Sequence, residues 1–124
     1  MAFSRRTVLV VEDDFSSREV LVMLLESEAL EVTAASDGEE ALQRLNEVQA
    51  IGLIVTDYMM PKLNGIDLCR RIESDPRWRE IPVIFMSATY VPSEDLPKQI
   101  VAVFGKPLLF ERLLAKVREI LGAA

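Results

Sequence analysis

The chain has 124 residues with 14 basic and 20 acidic side chains, so its net charge is −6, and half of its residues are hydrophobic. This length and balance are typical of one globular domain, which we expect to occupy residues 1–124. The apolar runs are far shorter than the roughly 20 residues that a membrane span requires. An acidic chain with no large cluster of Lys or Arg is also poorly suited to nucleic acid. We therefore expect neither a membrane nor a nucleic acid as a partner.

Histidine is absent, and the single cysteine is Cys69. The lack of histidine removes Ser-His-Asp and Cys-His nucleophile systems, most zinc sites and a role as a phosphohistidine carrier. One cysteine excludes an internal disulfide and fits a reducing compartment. The N-terminal segment reaches an acid after a very short apolar run, which is unlike a secretory signal. We therefore expect a cytoplasmic protein.

Five short segments have the composition of β-strands. Four of them are continuous apolar runs, which indicates strands that are covered on both faces, as in a parallel sheet. The second is more polar and is predicted to lie at an edge. The predicted strands are Thr7–Val11, Glu31–Ala35, Ile51–Thr56, Pro82–Met86 and Ile100–Phe104.

Segments with helical periodicity lie between these strands. The first helix is predicted to begin at a capping box, Ser16 to Glu19, and the second at another, Ser36 to Glu39. Asn64 is predicted to cap a third helix that ends before Asp75. The residues expected to face the core are Val20, Leu21, Leu24 and Leu25 in the first helix, Ala41, Leu42 and Leu45 in the second, and Ile66, Cys69 and Ile72 in the third.

The last helix is predicted to follow Pro107. Its expected inner face consists of Phe110, Leu113, Leu114, Val117, Ile120 and Leu121. Between the fourth and fifth strands, Pro97 forbids a regular helix interior, so we predict only a short or irregular fourth helix there. The alternation of strands and helices predicts an α/β fold with a doubly wound five-stranded parallel sheet.

Chemically active side chains follow the predicted strands. Ligands bind at the carboxyl ends of the strands in open parallel sheets, so these side chains should converge on one rim. Grouped carboxylates without histidine or thiolate form a hard-oxygen site that suits Mg²⁺. A carboxylate beside it can act as a nucleophile, while a lysine and a hydroxyl bind a phosphoryl group. The strand-end residues are Glu12, Asp13 and Asp14 after the first strand, Asp57 after the third, Ser87 after the fourth and Lys106 after the fifth.

The arrangement resembles the receiver domains of two-component response regulators. The matching segments are VLVVEDD, ASDGEEAL, VTDYMMPKLNG, SDPRWREIPVIFMSA and GKPL, in the family's order and over almost the whole chain. The resemblance implies a flavodoxin-like receiver fold. It also implies a phosphoryl-accepting protein whose partner is a sensor histidine kinase or a histidine phosphotransfer protein, and which catalyses only its own phosphorylation and dephosphorylation.

The resemblance also implies a role for each matched position. Asp57 would be the phosphoryl acceptor. Asp13 and Asp57 would bind Mg²⁺ directly, Glu12 would do so through water, and the backbone carbonyl of Met59 would complete the protein ligands. For Asp14, we favour the role of a helix cap over that of a metal ligand.

Two further residues would act on the phosphoryl group. Ser87 would donate a hydrogen bond to its oxygens, although a strand-end hydroxyl can also cap a local turn. Lys106 would pair with the same oxygens, and the Lys106–Pro107 peptide would be cis, a state that proline makes accessible.

The last third of the chain departs from the family pattern. Ser87 and Lys106 are 19 positions apart, about one helical turn fewer than is usual, and Val103 occupies the position of a common aromatic switch residue. These departures leave open a second function, a receiver-like interaction module that works without phosphorylation. A small-molecule phosphohydrolase is disfavoured, because such enzymes commonly have a second aspartate where this chain has Met59.

Overall fold

The computed structural model describes residues 7–60, 62–92 and 96–122. Its strands are β1 (Thr7–Val11), β2 (Glu31–Ala35), β3 (Ile51–Asp57), β4 (Val83–Ser87) and β5 (Ile100–Gly105). Its helices are α1 (Phe15–Glu26), α2 (Gly38–Glu47), α3 (Gly65–Glu73) and α4 (Phe110–Leu121). Each strand lies within one residue of its predicted bounds. None of these helices is long and apolar enough to cross a membrane.

The strands form one parallel sheet in the order β2-β1-β3-β4-β5. β1, β3 and β4 are buried because helices cover both faces of the sheet, and their continuous apolar sequences reflect this. The prediction of a doubly wound parallel sheet with β2 at an edge is confirmed.

Two separate cores lie on the two faces of the sheet. On one face, α2 and α3 pack against β-strand side chains through Ala41, Leu45, Leu68, Cys69 and Ile72. On the other face, α1 and α4 do so through Leu21, Leu25, Leu113 and Val117. Each such side chain contributes roughly 1.5–3 kcal/mol when it is fully removed from water. The two layers fix the strand ends relative to one another.

The predicted inner faces of the first and last helices are correct except at their margins. Val20 is 43% exposed and Phe110 is 39% exposed, whereas both were predicted to be inside. Both line a groove of about 320 Å³ between α1 and the segment that follows β5, so the helices diverge there. The periodicity identified the apolar stripe but not how far the neighbouring element extends over it.

Both predicted capping boxes are displaced. The N-cap of α1 is Asp14, whose carboxylate accepts a hydrogen bond from the Ser17 amide, so Ser16 lies inside the helix. The N-cap of α2 is Asp37, and Glu40 rather than Glu39 reaches back, accepting hydrogen bonds from Ser36. In both cases an aspartate, rather than a serine, stands directly before the first helical residue. Aspartate is one of the residues that N-cap helices most strongly. The Asn64 cap of α3 is confirmed.

The chain between β4 and β5 contains no helix in its described residues. Residues 97–100 form a turn that is closed by a hydrogen bond from the Ile100 amide to the Pro97 carbonyl at 3.0 Å. Part of the predicted irregular helix, residues 93–95, lies outside the described residues. Val103 points to the face that α2 and α3 cover elsewhere, yet it is 43% exposed. Phe104 faces the opposite core, so the aromatic ring is not a substitute for the missing aromatic at position 103.

Candidate functional site

Three carboxylates meet at the carboxyl end of the sheet. Glu12 follows β1, Asp57 ends β3, and Asp13 lies in the turn before α1. One oxygen from each of the three lies within 4.8 Å of the others. Glu12 and Asp57 are buried, with 1% and 4% of their surfaces exposed, whereas Asp13 is exposed. Such crowding costs free energy unless a cation joins the group.

Lys106 supplies one cation. Its ammonium nitrogen donates a hydrogen bond to Glu12 Oε1 at 2.9 Å and lies 2.6 Å from Asp57 Oδ1. The residue stands just after β5, next to a cis peptide bond to Pro107, as the family resemblance implied. A single lysine therefore bridges two buried acids from strands that are neighbours in the sheet.

Glu12 is held at several atoms. Its backbone N–H donates to the Ala35 carbonyl at 3.1 Å, which extends the β1–β2 pairing by one residue. Its Oε2 atom accepts from the Asp14 amide at 3.0 Å. The carboxylate is therefore fixed between a backbone donor and the lysine, and its orientation does not depend on a metal.

The two buried acids have opposite pKa shifts. Burial raises the pKa of Asp57 to about 7, and its contact with Glu12 adds to this effect while Lys106 opposes it. Burial would also raise the pKa of Glu12, but hydrogen bonds with Asp57, the Asp14 amide and Lys106 together lower it. The same two carboxylates raise the pKa of Lys106 against the effect of burial, so the ammonium stays charged.

Ser87 and Met59 line the same cavity of about 240 Å³ as the acids and Lys106. The Ser87 hydroxyl donates to the Thr89 carbonyl at 2.8 Å and accepts from the Thr89 amide at 3.0 Å. The Met59 side chain is 62% exposed. Ser87 thus lies at the predicted place, but its hydroxyl is engaged in a local turn.

Asp14 lines the mouth of this cavity, yet its carboxylate caps α1. The hydrogen bonds from Ser17 lower its pKa. The interpretation of Asp14 as a cap is confirmed.

Gly65 allows the start of α3 to approach β3 closely. Its amide donates to the Tyr58 carbonyl at 2.8 Å. A Cβ atom at this position would lie 2.9 Å from the Asp57 carbonyl oxygen and 3.0 Å from the Phe85 ring. A side chain at position 65 would therefore push the start of α3 away from the backbone of Asp57.

The donor set fits a magnesium ion. All three side chains are carboxylates, the hard-oxygen ligands that Mg²⁺ prefers, and they contain no soft atom that would select zinc or copper. The buried Asp57 Oδ1 atom accepts no hydrogen bond of ordinary geometry from the described residues, although Lys106 is close to it. A divalent cation would relieve the repulsion that Lys106 alone leaves.

Two contacts at the site were not predicted from the sequence. The Thr89 hydroxyl forms a hydrogen bond with the Ser87 hydroxyl, and Arg18 donates from its Nη1 atom to the Glu12 carbonyl at 2.8 Å. Thr89 lies two residues after the strand, a spacing common in hydroxyl turns, and could have been found on that basis. Arg18 gives no such signal, because its contact depends on how α1 leaves the sheet.

The family model of the response regulator receiver domain matches residues 8–118. The chain belongs to this family. A two-component response regulator of Oryza sativa subsp. indica, ORR3, is 37% identical over 86 residues, which cover 69% of this chain and 66% of the relative. A transcriptional regulatory protein CpxR homolog of Haemophilus influenzae is 36% identical over 120 residues, 92% of this chain and 49% of the relative.

Solved structures agree with this assignment. The crystal structure of a response regulator receiver protein from Pseudomonas putida is 30% identical, with a TM-score of 0.85, and the match covers 95% of this chain and 99% of that one. The receiver domain of the Francisella response regulator 1452 is 29% identical, with a TM-score of 0.83, covering 94% and 96%.

The receiver domain spans only part of many regulators. The chain spans between 41% and 66% of the length of its rice relatives. It is therefore identified as a receiver domain of two-component signalling, and the outputs of longer relatives are not assigned to it.

Proposed function

We propose that this receiver domain accepts a phosphoryl group on Asp57 from a phosphohistidine of a sensor histidine kinase or a histidine phosphotransfer protein. One observation carries the proposal. Asp57 is a buried carboxylate with an elevated pKa that faces a cavity together with two further acids, a lysine and a hydroxyl. These are the groups that phosphoryl transfer requires.

The transfer step would join Asp57 to the donor's phosphorus. A carboxylate oxygen of Asp57 attacks phosphorus in line, the P–N bond to the donor imidazole breaks, and its electron pair remains on the imidazole nitrogen. Asp57 must be deprotonated for this step, and Mg²⁺ bound beside it would favour the charged form against the effect of burial, which raises its pKa. The domain catalyses this step on itself, and also the later hydrolysis of its acyl phosphate.

Lys106 and Ser87 bind the transferred group. Lys106 already contacts Asp57 and can pair with a phosphoryl oxygen there. Glu12, Asp13, Asp57 and the Met59 carbonyl would hold Mg²⁺, which neutralises the charge of the phosphoryl oxygens when it is bound.

The Ser87 hydroxyl supports a conformational signal. It donates to the Thr89 carbonyl in this structure, so it must leave that bond before it can donate to a phosphoryl oxygen. Phosphorylation would therefore favour a second arrangement of the turn after β4. A target that binds this arrangement better is bound more strongly after phosphorylation.

The donor must approach over the mouth of the cavity. The groove between α1 and the segment after β5 shares Glu12 and Lys106 with that cavity, and it is mostly apolar. Val20 and Phe110 line this groove and are exposed. A donor that reaches Asp57 would rest against these side chains.

The test is a mass measurement after incubation with phosphoramidate and Mg²⁺. We expect one phosphoryl group on the wild-type protein and none on Asp57→Asn. Asp67→Asn is the matched control, because Asp67 is an exposed aspartate in the first turn of α3 and should leave phosphorylation unchanged. No mass gain on the wild type, or a gain that persists in Asp57→Asn, would contradict the proposal.

A further inference from the structure

Arg18 is the one cation of α1, and it turns back toward the acidic cluster. Its Nη1 atom donates to the backbone carbonyl of Glu12 at 2.8 Å, across six positions of the chain. Its guanidinium carbon lies 5.4 Å from the centre of the Phe15 ring. The arginine is partly buried, so it is packed in this position rather than extended into solvent.

Two opposite electrostatic effects act on Arg18. It lies in the first turn of α1, near the positive pole of the helix, where positive charge is disfavoured, whereas the Asp14 carboxylate attracts it. Within residues 7–60, 62–92 and 96–122, no carboxylate lies within ion-pair distance of its side chain. The bond to the Glu12 carbonyl is therefore the main polar contact that its charge receives.

That carbonyl belongs to the peptide group that joins Glu12 to Asp13. On the side of β1, the Glu12 N–H is held by the Ala35 carbonyl, and the Glu12 carboxylate is held by the Asp14 amide and Lys106. Asp13 is exposed, and its carboxylate has no hydrogen bond among the described contacts. Among the described residues no side-chain contact holds Asp13, so its position depends on the peptide group that precedes it.

We infer that Arg18 is a positioning residue: by holding the Glu12 carbonyl, it fixes the peptide that aims the Asp13 carboxylate at Glu12 and Asp57. Arg18 touches neither the acceptor nor the phosphoryl group. The inference rests on the proposed function only in using divalent-cation affinity as one of its two measurements.

A purely electrostatic role predicts the opposite sign. Removal of a positive charge near three acids would strengthen the binding of a divalent cation. Loss of the positioning bond would weaken it, because groups that orient metal ligands typically contribute about ten-fold or more to affinity. The direction of the change in Kd therefore separates the two roles.

The first measurement is Mg²⁺ affinity by isothermal titration calorimetry on the full chain. We expect Arg18→Ala to weaken binding roughly ten-fold. We expect Arg18→Lys, which can still reach the carbonyl with an ammonium, to remain within about three-fold of the wild type. Lys62→Ala is the charge control, because Lys62 lies in the loop after β3 and pairs with Asp37 rather than with the site. It should leave the affinity unchanged or slightly stronger.

The second measurement needs no metal. Amide hydrogen exchange in the metal-free protein should be faster at Asp14 in Arg18→Ala, since this amide binds the Glu12 carboxylate, while the Leu25 amide should be unaffected. Unchanged or stronger Mg²⁺ binding by Arg18→Ala would overturn the inference, as would unchanged exchange at Asp14. If the wild type binds no Mg²⁺, the metal part of the proposed function fails, and the exchange result alone decides on Arg18.

Discussion

The two ends of the sheet treat buried polar groups differently. At the amino end of β5, the Gln99 amide is buried and donates to the carbonyls of Trp78 and Ile81 at 3.3 and 3.0 Å. At the carboxyl end, Glu12 and Asp57 are buried beside each other, with one lysine between them. At the amino end, the Gln99 amide nitrogen pairs two backbone carbonyls, although its own Oε1 atom accepts no hydrogen bond from the described residues. At the carboxyl end, two acids are buried side by side, and their repulsion opposes folding. Sites that bind a ligand are where such conflict is expected.

The largest effect is expected at Asp57. Asp57→Asn removes a buried charge and should stabilise the metal-free protein by about 2 kcal/mol near pH 8. The raised pKa of Asp57, which already includes the favourable contact with Lys106, sets an upper limit of about 4 kcal/mol. Urea unfolding of both proteins in EDTA measures the difference. A less stable variant would show that Asp57 stabilises the folded protein, as Gln99 is expected to do. The two ends of the sheet would then not differ.

The pH dependence sharpens the same contrast. A carboxyl whose folded-state pKa is raised binds protons more tightly when folded, so the metal-free protein should lose stability as pH rises from about 4 to 7. The chain has no histidine, and the lowered pKa values of Glu12, Asp14 and Asp37 act below this range. We expect a loss of about 1–2 kcal/mol between about pH 5.5 and 8.

Asp57→Asn is the control for this dependence, since it removes the group concerned. Thermal melts in EDTA across the same range should be nearly flat for the variant. A slope that is equal in the two proteins would assign the dependence to another group.

The opposite sign is expected at the amino end. Gln99→Leu replaces the amide by an apolar group of similar size, which removes the unpaired Oε1 atom but leaves the Ile81 carbonyl without its side-chain donor. An unpaired buried acceptor costs about 1–3 kcal/mol, and removal of the unpaired Oε1 atom offsets part of this cost, so we expect the variant to be less stable by about 1 kcal/mol. The check is urea unfolding under the conditions used for Asp57→Asn. A more stable Gln99→Leu protein would mean that the buried polar groups at both ends of the sheet destabilise the fold.

The smallest effect is expected on the exposed face of β5. Val103 is partly exposed, and we expect Val103→Thr, which keeps the branched shape, to change stability by less than about 0.5 kcal/mol. Val83→Thr is the matched control on the neighbouring strand, because Val83 is fully buried and faces the same side of the sheet. It should lose at least about 1 kcal/mol. Thermal melts of the two variants, compared directly, decide whether this face is covered.

Much of this fold could be predicted from the sequence because its strongest signals are local. Continuous apolar runs such as Val8–Val11 gave the strands to within one residue, and the order of the strand-end side chains gave the acidic site. The caps were less accurate, because both Ser36 and Asp37 are good N-caps and only the end of β2 decides between them.

What could not be predicted depends on how elements meet. The exposure of Val20 and Phe110 depends on the gap between α1 and α4. The contact of Arg18 with Glu12 depends on the angle at which α1 leaves β1. Neither of these leaves a periodic pattern in the sequence.

We propose that the buried acids bind a divalent cation. The most direct test is a thermal melt at about pH 7.5 with and without about 10 mM Mg²⁺. A ligand that binds only the folded state stabilises that state by about 1.4 kcal/mol when the ligand concentration is ten times its Kd. For a domain of this size, the wild-type melting temperature should therefore rise by roughly 5 °C. The shift should be much smaller in Asp57→Asn. An unchanged wild-type melting temperature would contradict the account.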